Sequence, residues 1–304
     1  MIRTTRLASL AAATVAAGSL LLAAPADAGI IAYEGFDYEP GTVIGQDGGL
    51  GWGDVWQAEQ FGSDADVTAS ATLEYEDALG QSLPVEGLGV VIPRVSRGAG
   101  RDLANPVSSG VVWASFLMHP TYDLTPEMED TGEVDDEGNP ILEPTGEQIL
   151  TVQRLHVELG SLQVGKFSNV DEYGLVFGSA SDYSDVVGWP DETNFFVVRF
   201  DIGETSDDGR IDLFMNPNLG GDNEPSLGDA DATLTGLNSA NMTLDRVNLI
   251  AQAGVQVPES RGYFDEIRVA DNYHDVTTFI PEPGSLALLG VGLGLLAVRR
   301  RKQA

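Results

Sequence analysis

Three side chains able to hydrogen-bond or exchange protons, Arg154, His156 and Glu158, alternate with Leu155, Val157 and Leu159. Successive residues of an extended chain point to opposite faces, so this spacing puts a guanidinium, an imidazole and a carboxylate on one side of a strand. Such a row suits hydrogen bonding to sugar hydroxyls or to acidic sugars. Trp52 and Trp56 offer the complementary chemistry, because an indole face is an apolar platform with a polar rim. Loop acids suggest a third kind of site. Asp64 and Asp66, Asp222 and Glu224, and above all Asp207, Asp208, Asp229 and Asp231 carry the hard oxygens that a structural calcium takes, although none follows the EF-hand spacing.

Covalent and acid–base catalysis have little to build on. There is no cysteine, and histidine occurs only at His119, His156 and His274. No Gly-x-Ser-x-Gly elbow leads into a helix, and no His-Glu-x-x-His, phosphate-binding loop or dinucleotide fingerprint is present. A retaining glycosidase needs two carboxyl groups about 5–5.5 Å apart in one cleft. The adjacent Asp265 and Glu266 cannot supply them, since neighbours on a strand face opposite ways. We therefore expect no catalytic residues, a structural role for that acid pair, and a protein that is not an enzyme.

The elements that must hold these residues read as strands. Short alternating runs recur between turn residues, the chain contains 36 Gly and 15 Pro, and no long stretch has a 3.6-residue apolar period. Strands are predicted over 111–118, 149–159, 174–177, 194–202, 211–215, 244–251 and 262–270. The run from Asn194 to Ile202 is apolar on both faces, which predicts a central strand covered on both sides. Asp207, Asp208 and Gly209 supply the turn of a hairpin into the next run. Between Thr125 and Gln148 lie nine acidic residues, three Pro and three Gly, which predicts a solvated insertion loop. The expected fold is an all-β antiparallel sandwich formed as one domain over residues 29–280.

Charge narrows the partners. The formal net charge is -31, and residues 29–280 alone carry 45 acidic against 10 basic residues, a net of -35. That surface repels phosphate backbones and anionic bilayers, which argues against nucleic-acid and peripheral-membrane binding. Without disulfides, an exported chain must rely on its hydrophobic core, and a 42% hydrophobic content is sufficient for one.

Both ends carry processing signals. Arg3 and Arg6 precede an apolar run to Ala24, and Ala26 and Ala28 form the small-x-small pattern of a signal-peptidase site. Residues 1–28 are thus predicted to be a signal peptide, cleaved before Gly29. At the other end Pro281, Glu282 and Pro283 lead into 13 apolar residues, Leu286 to Val298, followed by Arg299, Arg300, Arg301 and Lys302. As a helix that run rises about 20 Å, short of the roughly 30 Å hydrocarbon core, while the basic cluster stays on the cytoplasmic side. A transient inner-membrane anchor through 286–298 follows. The Pro-Glu-Pro triplet, short apolar stretch and terminal arginines resemble the PEP-CTERM sorting tail of Gram-negative bacteria, here residues 281–304. The resemblance implies recognition and removal by an exosortase, with delivery of the body to the cell surface or extracellular matrix.

The body also resembles concanavalin A-like and laminin-G-like jelly rolls. Tyr33 to Tyr38 and Gly48 to Trp52 are similar to a first strand and its Gly-Trp turn. Val112 to Leu117, Val164 to Phe167, Tyr173 to Leu175, Leu213 to Pro217 and Phe264 to Val269 are similar to later strands, in order. This resemblance implies association with extracellular polysaccharide, for which Arg154, His156, Glu158, Trp52 and Trp56 are the candidate residues read from the sequence, and the absence of a catalytic motif makes the protein non-enzymatic in expectation. Two alternatives stand beside it: a secreted glycoside hydrolase or polysaccharide lyase, and a purely structural matrix component.

Overall fold

The computed structural model describes residues 29–59, 68–93, 97–121, 124–134, 140–150, 154–167, 170, 172–187, 192–220, 223–252 and 261–278. Its strands run β1 (Ile30–Glu34), β2 (Gly41–Thr42), β3 (Gln57–Ala58), β4 (Thr68–Ala71), β5 (Gly89–Pro93), β6 (Arg97–Val107), β7 (Gly110–Thr121), β8 (Leu124–Val134) and β9 (Pro140–Leu150). They continue with β10 (Arg154–Leu159), β11 (Leu162–Lys166), β12 (Glu172–Phe177), β13 (Ala180–Val187), β14 (Asn194–Ile202), β15 (Gly209–Met215), β16 (Ala232–Leu237), β17 (Leu244–Gln252) and β18 (Arg261–Ala270), and a short helix α1 (Tyr273–Thr277) follows.

The strands form two antiparallel sheets and a separate ribbon. One sheet has nine strands in the order β16-β15-β14-β7-β18-β5-β4-β2, with β1 added on β18; the other has seven, β13-β12-β11-β10-β17-β6-β3. This is the all-β sandwich expected from the sequence. Every ladder is antiparallel, as the alternating runs require.

Alternation decides which side chains enter the sandwich. Val112, Ala114, Phe116 and Met118 of β7 and Phe196, Val198, Phe200 and Ile202 of β14 face Leu155, Val157 and Leu159 of β10 and Val247 and Leu249 of β17. The Phe116 and Phe196 rings stack at 5.0 Å, and Tyr173 of the opposite sheet meets Phe196 edge-on at 5.1 Å, which ties the layers together.

The remaining residues of β7 and β14 are apolar too. Trp113, Leu117, Phe195 and Val197 build a second cluster on the outer face of the nine-stranded sheet, roofed by Leu73, Leu83, Leu219, Tyr273 and Val276. β14 is accordingly central, between β7 and β15, and buried on both faces. Its hairpin into β15 uses Asp208, whose carboxylate accepts the Thr205 N–H at 3.1 Å inside the turn.

Two expectations are corrected. The acidic segment 125–148 is not an irregular loop: β8 and β9 pair with each other as a two-stranded antiparallel ribbon outside both sheets, from Leu124↔Leu150 to Val134↔Pro140. An insertion that leaves and returns antiparallel can satisfy much of its backbone against itself, and acidic composition does not prevent this. For the same reason the single strand expected over 149–159 is divided, with Leu150 ending the ribbon and Arg154 opening β10 in the seven-stranded sheet. Among the described residues no helix is long and apolar enough to cross a membrane. Residues 1–28 and 279–304, which hold the signal-peptide, cleavage and sorting-tail expectations apart from Gly29, lie outside the described residues.

Candidate functional site

β10 runs between β11 and β17, and its Leu155, Val157 and Leu159 fill the core. Arg154, His156 and Glu158 therefore share the outer face of the seven-stranded sheet. Arg154 is exposed, His156 buried and Glu158 partly buried. The backbone register sets Glu158 beside Gln163 on β11 and Asn248 on β17. Its carboxylate accepts Gln163 Nε2 at 3.1 Å and Asn248 Nδ2 at 2.8 Å, and His156 Nε2 lies 3.5 Å away. The His156 ring, then the Asn248 and Gln163 amides, hold the Glu158 carboxyl down at about 2 against burial, which pushes it up.

The row continues across the sheet through residues that spacing alone did not single out. Arg246 Nε donates to Asn248 Oδ1 at 2.7 Å, and its two terminal nitrogens pair with Asp102 and Glu59, each at 2.5 Å. Gly100 on β6 leaves the room for this junction. A methyl group there would overlap Asn248 Oδ1 and come within 2.5 Å of Arg246 Nη2 and 2.6 Å of Glu59 Oε1. A signal for half of it was present, because Arg246 and Asn248 alternate with Val247 and Leu249 just as the residues of β10 do. Asp102 and Glu59 have no such local mark. Their part depends on which strands become neighbours.

The two tryptophans belong to a different place. Glu34 at the end of β1 is buried, with its carboxylate accepting Phe36 N at 3.0 Å, Tyr38 Oη at 2.8 Å, Trp56 Nε1 at 3.0 Å and Arg101 Nη1 at 2.7 Å. Burial pushes its carboxyl up, opposed by these donors. Arg101 also donates to the carbonyls of Asp54 and Gly48 and lies over the Trp52 ring at 5.4 Å. Trp56 is 0% exposed, which corrects its expected role: a ring with no free face offers no platform for a sugar. Trp52 is partly buried and spends its N–H on the Tyr33 carbonyl at 2.9 Å. Neither tryptophan joins His156 and Glu158.

Asp265 and Glu266 lie at a bulge in β18, where Glu266 has φ 53° and the pairing to β7 shifts register. Both are fully buried. Asp265 accepts Leu73 N at 3.0 Å, while Glu266 accepts Glu86 N at 2.6 Å and pairs with Arg268 at 2.6 Å. Burial raises both carboxyls, that of Asp265 well above the usual range. The pair fastens the chain between Leu73 and Glu86 to β18. The histidines stay apart, His119 on β7, His156 on β10 and His274 on α1.

Three of the calcium candidates are engaged as hydrogen-bond acceptors within the chain. Asp208 accepts Ser239 Oγ at 3.1 Å besides Thr205 N; Asp229 accepts Ser226 N at 3.0 Å and Oγ at 2.6 Å; Asp231 accepts Met215 N at 2.7 Å. The Thr205 side chain chiefly lowers the Asp208 carboxyl, Ser226 lowers that of Asp229, and burial raises that of Asp231. Asp207 stands exposed at its turn. Asp64, Asp66 and Asp222 lie outside the described residues. Among the described residues no group of three His, Cys, Asp or Glu side chains could hold a metal ion.

The molecule is thus an antiparallel β-sandwich with a polar side-chain row across one outer face. The family description "PEP-CTERM protein-sorting motif" matches residues 279–302, so the chain ends in a protein-sorting motif. No curated protein matches the chain in sequence. Among solved structures it is similar to HCR/D-Sa-GBL1/C, at 6% identity and TM-score 0.40 over 83% of this chain; it spans about half (51%) of that chain's length. The metal-free Emp46p carbohydrate recognition domain is 8% identical at TM-score 0.36, covering 71% of this chain and 88% of that one. Alginate lyase vAL-1 from Chlorella virus is 8% identical at TM-score 0.34, covering 71% and 92%.

Proposed function

We propose that this is an exported surface or matrix protein, freed of its signal peptide before Gly29 and of its tail by an exosortase, whose body associates with extracellular polysaccharide without chemically altering it. The observation that carries the export half is the protein-sorting motif at residues 279–302. Before processing, the apolar run 286–298 holds the chain at the inner membrane.

The polysaccharide half is supported by the row on the seven-stranded sheet, and its electrostatics favour neutral chains over acidic ones. The Arg246 cation is already matched by Asp102 and Glu59, and His156 leans on Glu158. With -35 over residues 29–280, an acidic polymer meets repulsion and no uncommitted cation in the row other than the exposed Arg154. Amides and carboxylates that already bond one another are suited to sharing bonds with sugar hydroxyls.

The processed protein is tested by retention on neutral and acidic polysaccharides, with product release measured in parallel. Retention on a neutral polymer, reduced about tenfold by Asn248→Ala, is expected. Absence of retention on every polymer would remove the binding reading. Appearance of new reducing ends or unsaturated uronates, lost on changing body carboxylates, would replace it with the hydrolase or lyase alternative.

A further inference from the structure

Gly29 has no room for a side chain. A methyl group on its Cα would overlap Asp275 Oδ2, lie 2.9 Å from the Asp275 Cγ and 2.6 Å from Asn272 Nδ2. The Gly29 nitrogen is bonded to the same Cα and lies about 2.5 Å from that methyl position, by standard backbone dimensions. Taken together these separations put the nitrogen at most about 4.2 Å from Asp275 Oδ2, beside the carboxylate. The backbone fixes this approach from both sides: Asp271 N donates to the Gly29 carbonyl at 2.9 Å, and the next residue, Ile30, pairs with Ala270 at the end of β18. Asp275 is held as firmly. Its N–H donates to Asn272 Oδ1 at 3.0 Å, and its Oδ2 accepts Asn272 Nδ2 at 2.7 Å, a reciprocal cap at the start of α1.

We propose that signal-peptide removal creates a binding site for the new chain end: the α-ammonium freed at Gly29 docks on the Asp275 carboxylate, an ion pair that an uncleaved chain cannot make. Before cleavage this nitrogen is an uncharged amide; afterwards it is a cation near neutral pH, with an ordinary α-amino pKa of about 7.7–8.0. The titratable residues of the segment packed against it are Asp275 and His274 of α1 and Asp271 in the turn after β18. The same few residues lead into the tail, since α1 ends at Thr277 and the sorting motif begins at residue 279. Gly29 thus lies against the helix that precedes the sorting motif in sequence, and docking of the freed amine consolidates that helix.

The inference rests on cleavage before Gly29, and the test separates the two. Lys166 is the one lysine between residues 29 and 280, and it is buried with Nζ donating to the Val170 carbonyl at 3.0 Å. Amine labelling of the exported, processed protein therefore reads the α-amine almost alone. Mass spectrometry gives the first residue and the extent of labelling against pH. An opposite charge favours the protonated amine, so the wild type should label about 2- to 5-fold more slowly at pH 7 than Asp275→Asn. A chain with one Gly inserted between Ala28 and Gly29 should label like Asp275→Asn although Asp275 is intact. Equal labelling profiles in all three, with the wild type beginning at Gly29, would overturn the docking alone. A processed chain beginning at another residue would overturn the cleavage site and the docking with it.

Discussion

Arg101→Met tests what holds the sandwich together. In the folded protein the Arg101 and Glu34 side chains are 3% and 1% exposed and 2.7 Å apart. Removing the cation strands a carboxylate among three neutral donors, Phe36 N, Tyr38 Oη and Trp56 Nε1, and leaves the Asp54 and Gly48 carbonyls without their guanidinium. Breaking a buried pair from one side costs about 3–5 kcal/mol. For a body of this size that is a fall in Tm of about 6–20 °C. The loss carries a pH signature. The Glu34 carboxyl is already raised by burial, and without Arg101 it rises further. A carboxyl raised in the folded state stabilises fully below its unfolded pKa, and that stability is lost as pH rises through the folded pKa. The cost of Arg101→Met should therefore shrink on acidification, by up to about 1.4 kcal/mol per pH unit. Denaturant unfolding of the processed protein at pH 7.5 and 5.5, followed by tryptophan fluorescence, measures it. The variant carrying both Arg101→Met and Glu34→Gln should lose the pH dependence. A cost below about 1 kcal/mol, or one equal at both pH values in Arg101→Met, would refute the reasoning.

Two further changes titrate the other carboxyls. Burial raises Asp265 well above its usual range, so its contribution is present below the unfolded pKa and is lost as pH rises through the folded one. Asp265→Asn should flatten the fall in urea midpoint above pH 4, and parallel wild-type and variant curves would count against it. Glu158 is the opposite case: held at about 2, it contributes above its unfolded pKa and loses that contribution as pH falls from about 5 toward 2. Glu158→Gln should reduce acid sensitivity over that window by about 1 kcal/mol, after allowance for its partial exposure, as read from melting at pH 3 and pH 6.

Local pattern made much of the architecture legible. Alternation located β7, β14, β15, β17 and β18, and the doubly apolar run of β14 showed that the nine-stranded sheet would be covered on both faces. The short strands β2 and β3, of two residues each, are too brief to show a period. The ribbon was hidden for another reason: composition reports how a segment is solvated, whereas pairing depends on whether its two halves can meet. The face shared by Arg154, His156 and Glu158 followed from spacing alone. The Glu34 cluster did not, because Glu34 and Arg101 are 67 positions apart and meet only when β1 and β6 are brought together. The tryptophans illustrate the same limit, since sequence shows an aromatic ring but not which of its faces is free.

The distribution of cations connects stability to the proposed choice of partner. Residues 29–280 hold only ten basic side chains. Arg101, Arg199, Arg210, Arg246 and Arg268 all pair with carboxylates, and Lys166 is buried against a backbone carbonyl. Several of these carboxylates, Glu34, Asp212 and Glu266, are essentially inaccessible to water and need such partners to be buried at all. A chain without cysteine thus uses its scarce arginines as internal cross-links between strands and segments distant in sequence. What remains outside is dominated by acid. Under the proposed function, the arrangement that fastens the sandwich also disfavours anionic polymers, leaving hydroxyl-rich neutral chains as the polysaccharides its outer face would approach without an electrostatic cost.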